Sequence, residues 1–446
     1  MNTCVLDQTP RQDPVGYAPR TYRAKDLGAI SVLTFLGLLS GCSSNPRSPK
    51  AALAPPLQRA LAVTRFSTST LDDATADRVL AQASQIISNN ACSLSLSRSG
   101  AVSTFTAAKG TVITPGDYKN VCAQPGYIHI VNLLHWCDGT TDALGCSDTP
   151  GRCMVVVRWT PPASVDPNHV EEGILWAHEY GHTKNLQHRD DDDAVMNPVI
   201  GPNHVKINGS ECAAYLERAP GPAAAMLRNT AMSVEDFARK IYIHGVPFRA
   251  ARTYSSKTDV EKLGQILRDP SQEMFWANAA TTLGMVATPE ASQQLATFVG
   301  EGSGVLSPEA YRAKSSAIIA MGYVLGQSGR ERPLQYLEQK ANPNSWQTVA
   351  WSSPFTADPK ERNLQLARSA IAALGLSGNY KAKSVLESIK PNHTWVLPAR
   401  DEISQSLTQA LDENRKVRSV GFDKYVIANE ELRYKGEVVE NSTTPK

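Results

Sequence analysis

The sequence has no excess of either charge, because its 45 lysine and arginine residues are balanced by 43 aspartate and glutamate residues. Without a basic stripe we expect no nucleic acid among its partners. It also lacks the ~20 consecutive apolar residues of a membrane-spanning helix, which excludes a polytopic membrane protein. A hydrophobic fraction of 41% in 446 residues indicates ordinary folded domains, and at ~150 residues each the length predicts two or three of them.

One short apolar run stands near the N-terminus. Residues 27–39 read LGAISVLTFLGLL, follow three basic residues and precede Ser-Gly-Cys42, a pattern typical of a secretory signal. The ending resembles the bacterial lipobox, which implies removal of residues 1–41 and acylation of Cys42; a buried helix or plain cleavage is the alternative. Ser43 then implies an outer-membrane lipoprotein that faces the periplasm or the cell surface. Residues 42–65, rich in Ser, Pro and Ala at their start, are predicted to be a flexible stalk.

Cysteine is absent after residue 212. Of the 8 cysteines, Cys4 lies in the signal and Cys42 takes the lipid. The six that remain are Cys92, Cys122, Cys137, Cys146, Cys153 and Cys212. An even number in an oxidising compartment predicts three disulfides within one domain, and the sequence does not choose among the ~15 connectivities. A cysteine metal site is the alternative, although no CxxC pair occurs.

A metal-site motif lies in residues 174–188, which read ILWAHEYGHTKNLQH. His178 and His182 are four residues apart, so on a helix both imidazoles lie on one face, and Glu179 points to the neighbouring side. A single helical turn therefore places two candidate ligands and a candidate base. The alternative is a surface helix with solvated histidines.

His188 is the natural third ligand of this site. To reach the same ion the chain must turn sharply after the helix, and Asn185 is a favourable residue for the left-handed conformation that such a turn requires. Met196 follows in a turn before Pro198 that could pass the methionine beneath the metal. Catalytic zinc sites usually combine three protein ligands with one open position.

These residues resemble the signature of the metzincin clan of zinc endopeptidases, HExxHxxGxxH followed by a methionine turn, with Asn185 in place of the glycine. The resemblance covers residues 178–198 closely and 66–222 loosely. It implies an α/β catalytic domain with a twisted mixed sheet and an active-site helix. It also implies Zn²⁺ on the three histidines, His178, His182 and His188, with Glu179 as general base on a zinc-bound water and Met196 as the structural methionine.

Predicted elements surround the motif. Strand-forming segments occur at 93–99, 127–136 and 154–159. The clan resemblance suggests 154–159 as an edge strand that holds an extended peptide. Helices are predicted over 72–87, covering the sheet, and over 210–216, after the methionine turn.

Other polar residues near the motif have no ligand spacing. The acidic run 190–193 is interpreted first as a solvated loop, then as an outer-shell partner of a ligating histidine, and last as a calcium site. Six histidines are given no role: His129, His135, His169, His204, His244 and His393.

The second half contains similar units. Residues 276–299, 313–337 and 366–386 each predict a helix, a turn and a second helix, with a glycine near the end of the first helix for close packing or a C-cap. These glycines are Gly284, Gly322 and Gly375. The spacing fits an all-α domain of HEAT-like repeats with one insertion, and an irregular helical bundle is the alternative.

The predicted organisation places the catalytic domain at 66–222, a connecting segment at 223–256, the repeats at 257–411 and a charged tail at 412–446. The leading interpretation is a lipid-anchored zinc endopeptidase that hydrolyses proteins or peptides outside the cytoplasm, with a protein partner on the repeats. The alternative is a non-enzymatic scaffold with a structural zinc site. Three histidines and an open position favour the enzyme, whereas four protein ligands favour the scaffold.

Overall fold

The computed structural model of the chain describes residues 55–159, 166, 170–219, 232–391 and 399–434. The predicted signal segment and the lipidation site Cys42 lie outside these residues. None of the helices in the described ranges combines the length and apolar character that crossing a membrane demands.

The architecture is a mixed α/β region followed by helices. The strands are β1 (Leu57–Leu61), β2 (Val63–Phe66), β3 (Leu94–Arg98), β4 (Ser103–Phe105), β5 (Thr111–Val112), β6 (Ile128–Val131), β7 (Leu133–Trp136), β8 (Thr140–Ala143), β9 (Gly145–Ser147), β10 (Met154–Val157), β11 (Val199–Ile200), β12 (Ile241–Tyr242), β13 (Gly304–Val305) and β14 (Trp351–Ser352). The helices are α1 (Asp73–Ser88), α2 (Pro115–Cys122), α3 (Val170–Thr183), α4 (Gly209–Tyr215), α5 (Val234–Ala238), α6 (Phe248–Ala251), α7 (Lys257–Arg268), α8 (Trp276–Val286), α9 (Pro289–Gly300), α10 (Pro308–Ser328), α11 (Glu331–Lys340), α12 (Pro359–Leu376), α13 (Tyr380–Ser388), α14 (Ala399–Val420) and α15 (Phe422–Tyr434). Two short 3-10 helices span Pro270–Phe275 and Pro343–Trp346.

The main sheet has five strands in the order β4-β2-β6-β10-β9. The first four strands are parallel and β9 is antiparallel to β10. The predicted edge strand 154–159 is therefore wrong, because β10 pairs on both sides and β9 is the edge. The sequence pattern cannot distinguish an edge strand from an interior strand here. A strand whose two faces are both buried is continuously apolar in either position.

Two further predictions of local structure are corrected. Residues 57–65 of the predicted stalk form β1 and β2. The predicted strand 127–136 is two strands in different sheets, β6 and β7, because the chain breaks at Asn132. The Asn132 side chain bonds to Ser69 and Thr68, and its amide donates to the carbonyl of Gly110.

The predicted helices before and after the motif are confirmed as α1 and α4. Asp72 caps α1, its carboxylate accepting from the Thr75 amide at 2.7 Å. Apolar residues recur on one face of α1 and bury against α3 and the sheet in one core. Helix α3 is buried along nearly its whole length, which is why its polar residues lie in the interior.

All six cysteines among the described residues are paired. The disulfides are Cys92–Cys212, Cys122–Cys153 and Cys137–Cys146. All three lie in the α/β region, as the even count and clustered positions predict. The disulfide Cys137–Cys146 links β9 to the end of β7.

Glycine positions the long helices of the second half. A Cβ on Gly284, Gly322 or Gly375 would lie within 3 Å of backbone atoms of Ala320, Ala373 or Ala410 respectively. These contacts join α8 to α10, α10 to α12, and α12 to α14 in sequence. Close packing rather than capping therefore explains the recurrent glycine. The interpretation as HEAT-like repeats remains a prediction.

The segment predicted to be a charged tail is largely helical. The end of α14 and all of α15 lie within 412–434. Val426 of α15 shares an apolar cluster with Phe248 of α6 and Tyr323 of α10. The last described helix thus packs back on the segment that follows the α/β region.

The variant Gly322→Ala tests the glycine packing. A Cβ would lie 2.6 Å from the carbonyl oxygen of Ala373, so we expect a loss of about 1–3 kcal/mol in the free energy of unfolding. Gly300→Ala is the control, because no atom lies within 4 Å of its Cβ position and we expect a change within about 0.5 kcal/mol. Equal stability of the two variants in urea unfolding would contradict the close approach of α10 and α12.

Candidate metal centre

Helix α3 supplies the first two histidines of the site. His178 and His182 lie one turn apart, with their ring centroids separated by 4.7 Å. Gly181 lies beside them, and a Cβ there would meet Met196 Sδ at 2.6 Å and the Tyr215 hydroxyl at 2.8 Å. The helix and the methionine turn therefore pack closely enough that position 181 has no room for a side chain.

The chain reverses after α3 as the sequence predicts. Asn185 has φ of 65°, the left-handed conformation in which asparagine is enriched. The amide of Leu186 then donates to the carbonyl of Gly181 at 3.0 Å. This exit brings His188 back to His182, with ring centroids 4.7 Å apart.

A fourth histidine, His244, completes the cluster. It follows β12 and lies 62 residues from His182 along the chain. One nitrogen atom from each of His178, His182, His188 and His244 lies within 4.8 Å of the others. The sequence pattern predicts no role for His244, because no spacing rule relates it to the motif. The set of three histidines with an open position stays a prediction, and the structure adds His244 as a fourth candidate ligand.

The four imidazoles are oriented by backbone carbonyls. Nδ1 of His178 donates to the carbonyl of Val195 at 2.8 Å, and Nδ1 of His182 to that of Leu186 at 2.8 Å. Nδ1 of His188 donates to the carbonyl of Tyr434 at 2.6 Å, and Nδ1 of His244 to that of Gly145 at 3.1 Å. A carbonyl only accepts, so the proton of each neutral ring is on Nδ1. Each Nε2 atom therefore carries a lone pair.

The Nε2 atoms converge on one point. Their measured separations are 3.0–3.2 Å. Lone pairs at this distance repel one another unless a cation lies between them. Four nitrogen ligands around one tetrahedral zinc would be ~3.3 Å apart, so donor type, tautomer and spacing all fit a bound metal ion.

Glu179 lies beside the fourth corner of this cluster. Its Oε1 is 3.7 Å from His244 Nε2, and its Oε2 accepts a hydrogen bond from the Ser147 hydroxyl at 2.7 Å. Gly145 makes room for it, since a Cβ there would come within 2.2 Å of Oε1. The carboxylate is fully buried, and a cation held by the histidine cluster would compensate its charge.

Met196 lies in the turn that packs against α3 beside Gly181, and its role as the structural methionine stays a prediction. Met196 is fully buried, and its sulfur is 3.7 Å from the hydroxyl of Tyr215. Tyr215 also donates to the carbonyl of Ala177 at 3.0 Å. The residue before Met196, Val195, provides the carbonyl that orients His178, so the turn fixes a ring as well as packing against the helix.

The site is closed on every side that the described residues form. All four histidines are at most 2% exposed. The amides of Leu144 and Gly145, at the start of the edge strand β9, donate to the carbonyl of Ile243. The segment that carries His244 thus covers the start of the edge strand β9.

Asp191 and Asp192 of the acidic run are exposed, and two carboxylates of the run pair with basic side chains. Asp191 lies 3.4 Å from Arg189, and Asp193 pairs with Lys206. These carboxylates do not orient the cluster, because all four Nδ1 atoms donate to carbonyls.

The other described histidines lie away from the cluster. Burial lowers the pKa of both His129 and His135 to about 4, and His135 bonds to Ser315 at 2.9 Å. Burial also lowers the pKa of His204. His169 and His393 lie outside the described residues.

Comparisons with known proteins assign no family. No family model matches the chain, and no curated protein does. Among solved structures the chain is similar to the crystal structure of archaemetzincin from Methanopyrus kandleri, at 14% sequence identity and a TM-score of 0.25. This match covers 38% of this chain and 90% of that chain. A TM-score of this size establishes neither fold nor activity, so the function is inferred from the residues of this chain.

Proposed function

We propose that the protein is a zinc-dependent peptidase and that its described conformation is closed. The observation that carries the proposal is the position of Glu179, whose Oε1 lies 3.7 Å from the fourth corner of the cluster. Three local histidines with an adjacent carboxylate are the arrangement of hydrolytic zinc sites. His244 occupies the position that such a site leaves open, so it must leave before substrate enters.

The donor set supports zinc as the metal. Neutral imidazoles suit zinc, copper, iron and nickel, and a tetrahedral array of four nitrogens is typical of zinc. When bound, zinc supplies the Lewis acidity that activates water and polarises a peptide carbonyl.

Glu179 is the proposed general base. The hydrogen bond from Ser147 holds Oε2, so Oε1 faces the corner that His244 occupies. After His244 leaves, Glu179 takes a proton from the attacking water and delivers it to the leaving amine nitrogen. Since Glu179 is not one of the four nitrogen donors, its removal separates catalysis from metal binding.

Strand β9 is the proposed binding edge for an extended protein or peptide substrate. The amides of Leu144 and Gly145 now donate to Ile243. Once that segment leaves, the same donors become available to the carbonyls of a substrate, which is recognition by strand addition.

The proposed location is outside the cytoplasm, with the protein tethered to the outer membrane by lipid on Cys42. The three disulfides support an oxidising compartment. The helical second half is proposed to bind a protein partner.

A second candidate function is a lipid-anchored scaffold with a structural zinc site. His244 favours it, because four protein ligands close a zinc site. The two candidates predict different effects of removing His244. The peptidase gains an open position beside a base, whereas the scaffold loses a ligand and gains no activity.

Metal content is the first prediction for protein that lacks residues 1–42. We expect about one zinc per chain, because the four nitrogens converge on one point. His182→Ala should weaken zinc binding by more than the ~100-fold that loss of an outer-shell partner costs. His204→Ala is the control, since His204 bonds to the Val199 carbonyl away from the cluster, and it should retain the metal. Metal analysis after dialysis measures both.

Cleavage of an unfolded protein substrate tests the peptidase. We expect His244→Ala to retain zinc on three histidines and to cleave at least ~10-fold faster than wild type, because the fourth position opens. Adding Glu179→Gln to it should keep the zinc and lower the rate by ~100-fold or more through loss of the base. A His244→Ala protein that is folded and holds zinc but cleaves nothing would refute the peptidase and leave the scaffold.

A further inference from the structure

The last described helix, α15, reaches the metal centre through Tyr434. The backbone carbonyl of Tyr434 accepts the Nδ1 proton of His188 at 2.6 Å. Its hydroxyl donates to the carbonyl of Gly245 at 2.7 Å, the residue directly after His244. One residue therefore bonds to a histidine of the motif and to the segment that delivers the fourth histidine.

The residue one turn earlier, Glu430, holds the other end of the same segment. Its carboxylate accepts from the amides of Phe248 and Arg249, the latter at 3.1 Å. These residues begin α6, whose N-cap Pro247 has no side-chain capping bond. Glu430 therefore serves as the cap of α6 from another helix, and it is 9% exposed.

Two ion pairs join α15 to α6 at the surface. Arg252 pairs with Asp423 at 2.7 Å, and Arg249 pairs with Glu431. Their side chains are about one third to one half exposed, and exposed pairs contribute little. The buried hydrogen bonds of Tyr434 and Glu430 therefore hold α15 to this segment more strongly than the ion pairs do.

The segment between His244 and α6 is held on its opposite side by the α/β region. Gly245 has φ of 88°, and a Cβ there would meet Thr141 Oγ1 at 2.1 Å and the Asp142 carbonyl at 2.7 Å. His244 Nδ1 donates to Gly145 at 3.1 Å. The segment thus lies between the end of the sheet and α15 and contacts both.

We infer that α15 is a latch that keeps His244 in the metal centre through Tyr434 and Glu430. Displacement of α15 then opens the fourth position. The inference rests on the metal site of the proposed function, and it holds whether or not the opened site cleaves peptides.

The test uses full-length protein purified in detergent and loaded with Co²⁺, whose visible spectrum reports the number and type of ligands. In wild type we expect a four-coordinate spectrum that azide does not change, because His244 fills the last position. His244→Ala is the positive control and should bind azide with a spectral change. Leu432→Ala lies on α15 at a residue that is 59% exposed and should behave as wild type.

Two variants loosen the latch. Tyr434→Phe keeps the ring and the carbonyl that orients His188, and it removes only the bond to Gly245. Glu430→Ala removes the cap of α6. We expect each to become sensitive to azide and to lose zinc to a chelator at least ~10-fold faster than wild type, as expected when a buried carbonyl or amide loses its partner.

The outcomes separate the inference from the proposed function. If His244→Ala responds to azide while folded Tyr434→Phe and Glu430→Ala match wild type in spectrum and zinc release, the latch is wrong and the metal site stands. If His244→Ala does not respond either, removal of His244 opens no position on the metal and the latch is wrong, whereas zinc content and substrate cleavage still decide the proposed function. Folded Tyr434→Phe that binds no cobalt would also overturn the latch, because α15 would then be needed to build the site. Tyr434→Phe is the deciding variant if Glu430→Ala does not fold.

Discussion

Four imidazole nitrogens with their lone pairs facing one another are the constraint on which this structure depends. Such an arrangement is stable only around a cation and only if each ring is held by its other nitrogen. The four accepting carbonyls come from the methionine turn, the exit of α3, the edge strand β9 and α15. The metal centre therefore requires parts of the chain as distant as residues 145 and 434 to be in place together.

The buried fourth position, which His244 fills, bears on whether the site is catalytic or structural. Glu179 is fully buried beside His244, and in the proposed peptidase His244 stands where the reaction needs an open position. A buried carboxylate next to a cation also serves charge balance in a purely structural site. Geometry alone accommodates both roles, and removal of His244 distinguishes them because only a peptidase gains activity from losing a ligand.

The helices of the second half set the position of α15. Glycine-to-alanine contacts bring α8, α10, α12 and α14 side by side at backbone distance, and α15 follows α14 directly. Phe422 at the start of α15 lies against Gly326 of α10, where a Cβ would come within 2.3 Å of its ring. A close-packed array transmits displacement because it has little free volume. The contacts of Phe422 and Tyr434 thus tie α15 to α10 at one end and to the metal centre at the other.

Local rules alone determined the motif helix, the turn at Asn185, the helix α1 and the even set of cysteines. Each of these features depends on residues within about one or two helical turns of one another, or on the number of cysteines. Only the tertiary structure decided that His244 joins the cluster, that β9 rather than β10 is the edge, and that residues 422–434 return to the site. His244 carries no spacing signal because its partners are 62 and 66 residues away. The interior position of β10 and the break at Asn132 likewise depend on strands and side chains far along the chain. A sequence pattern encodes which face of an element is buried, whereas its neighbours are chosen by the packing of the whole chain.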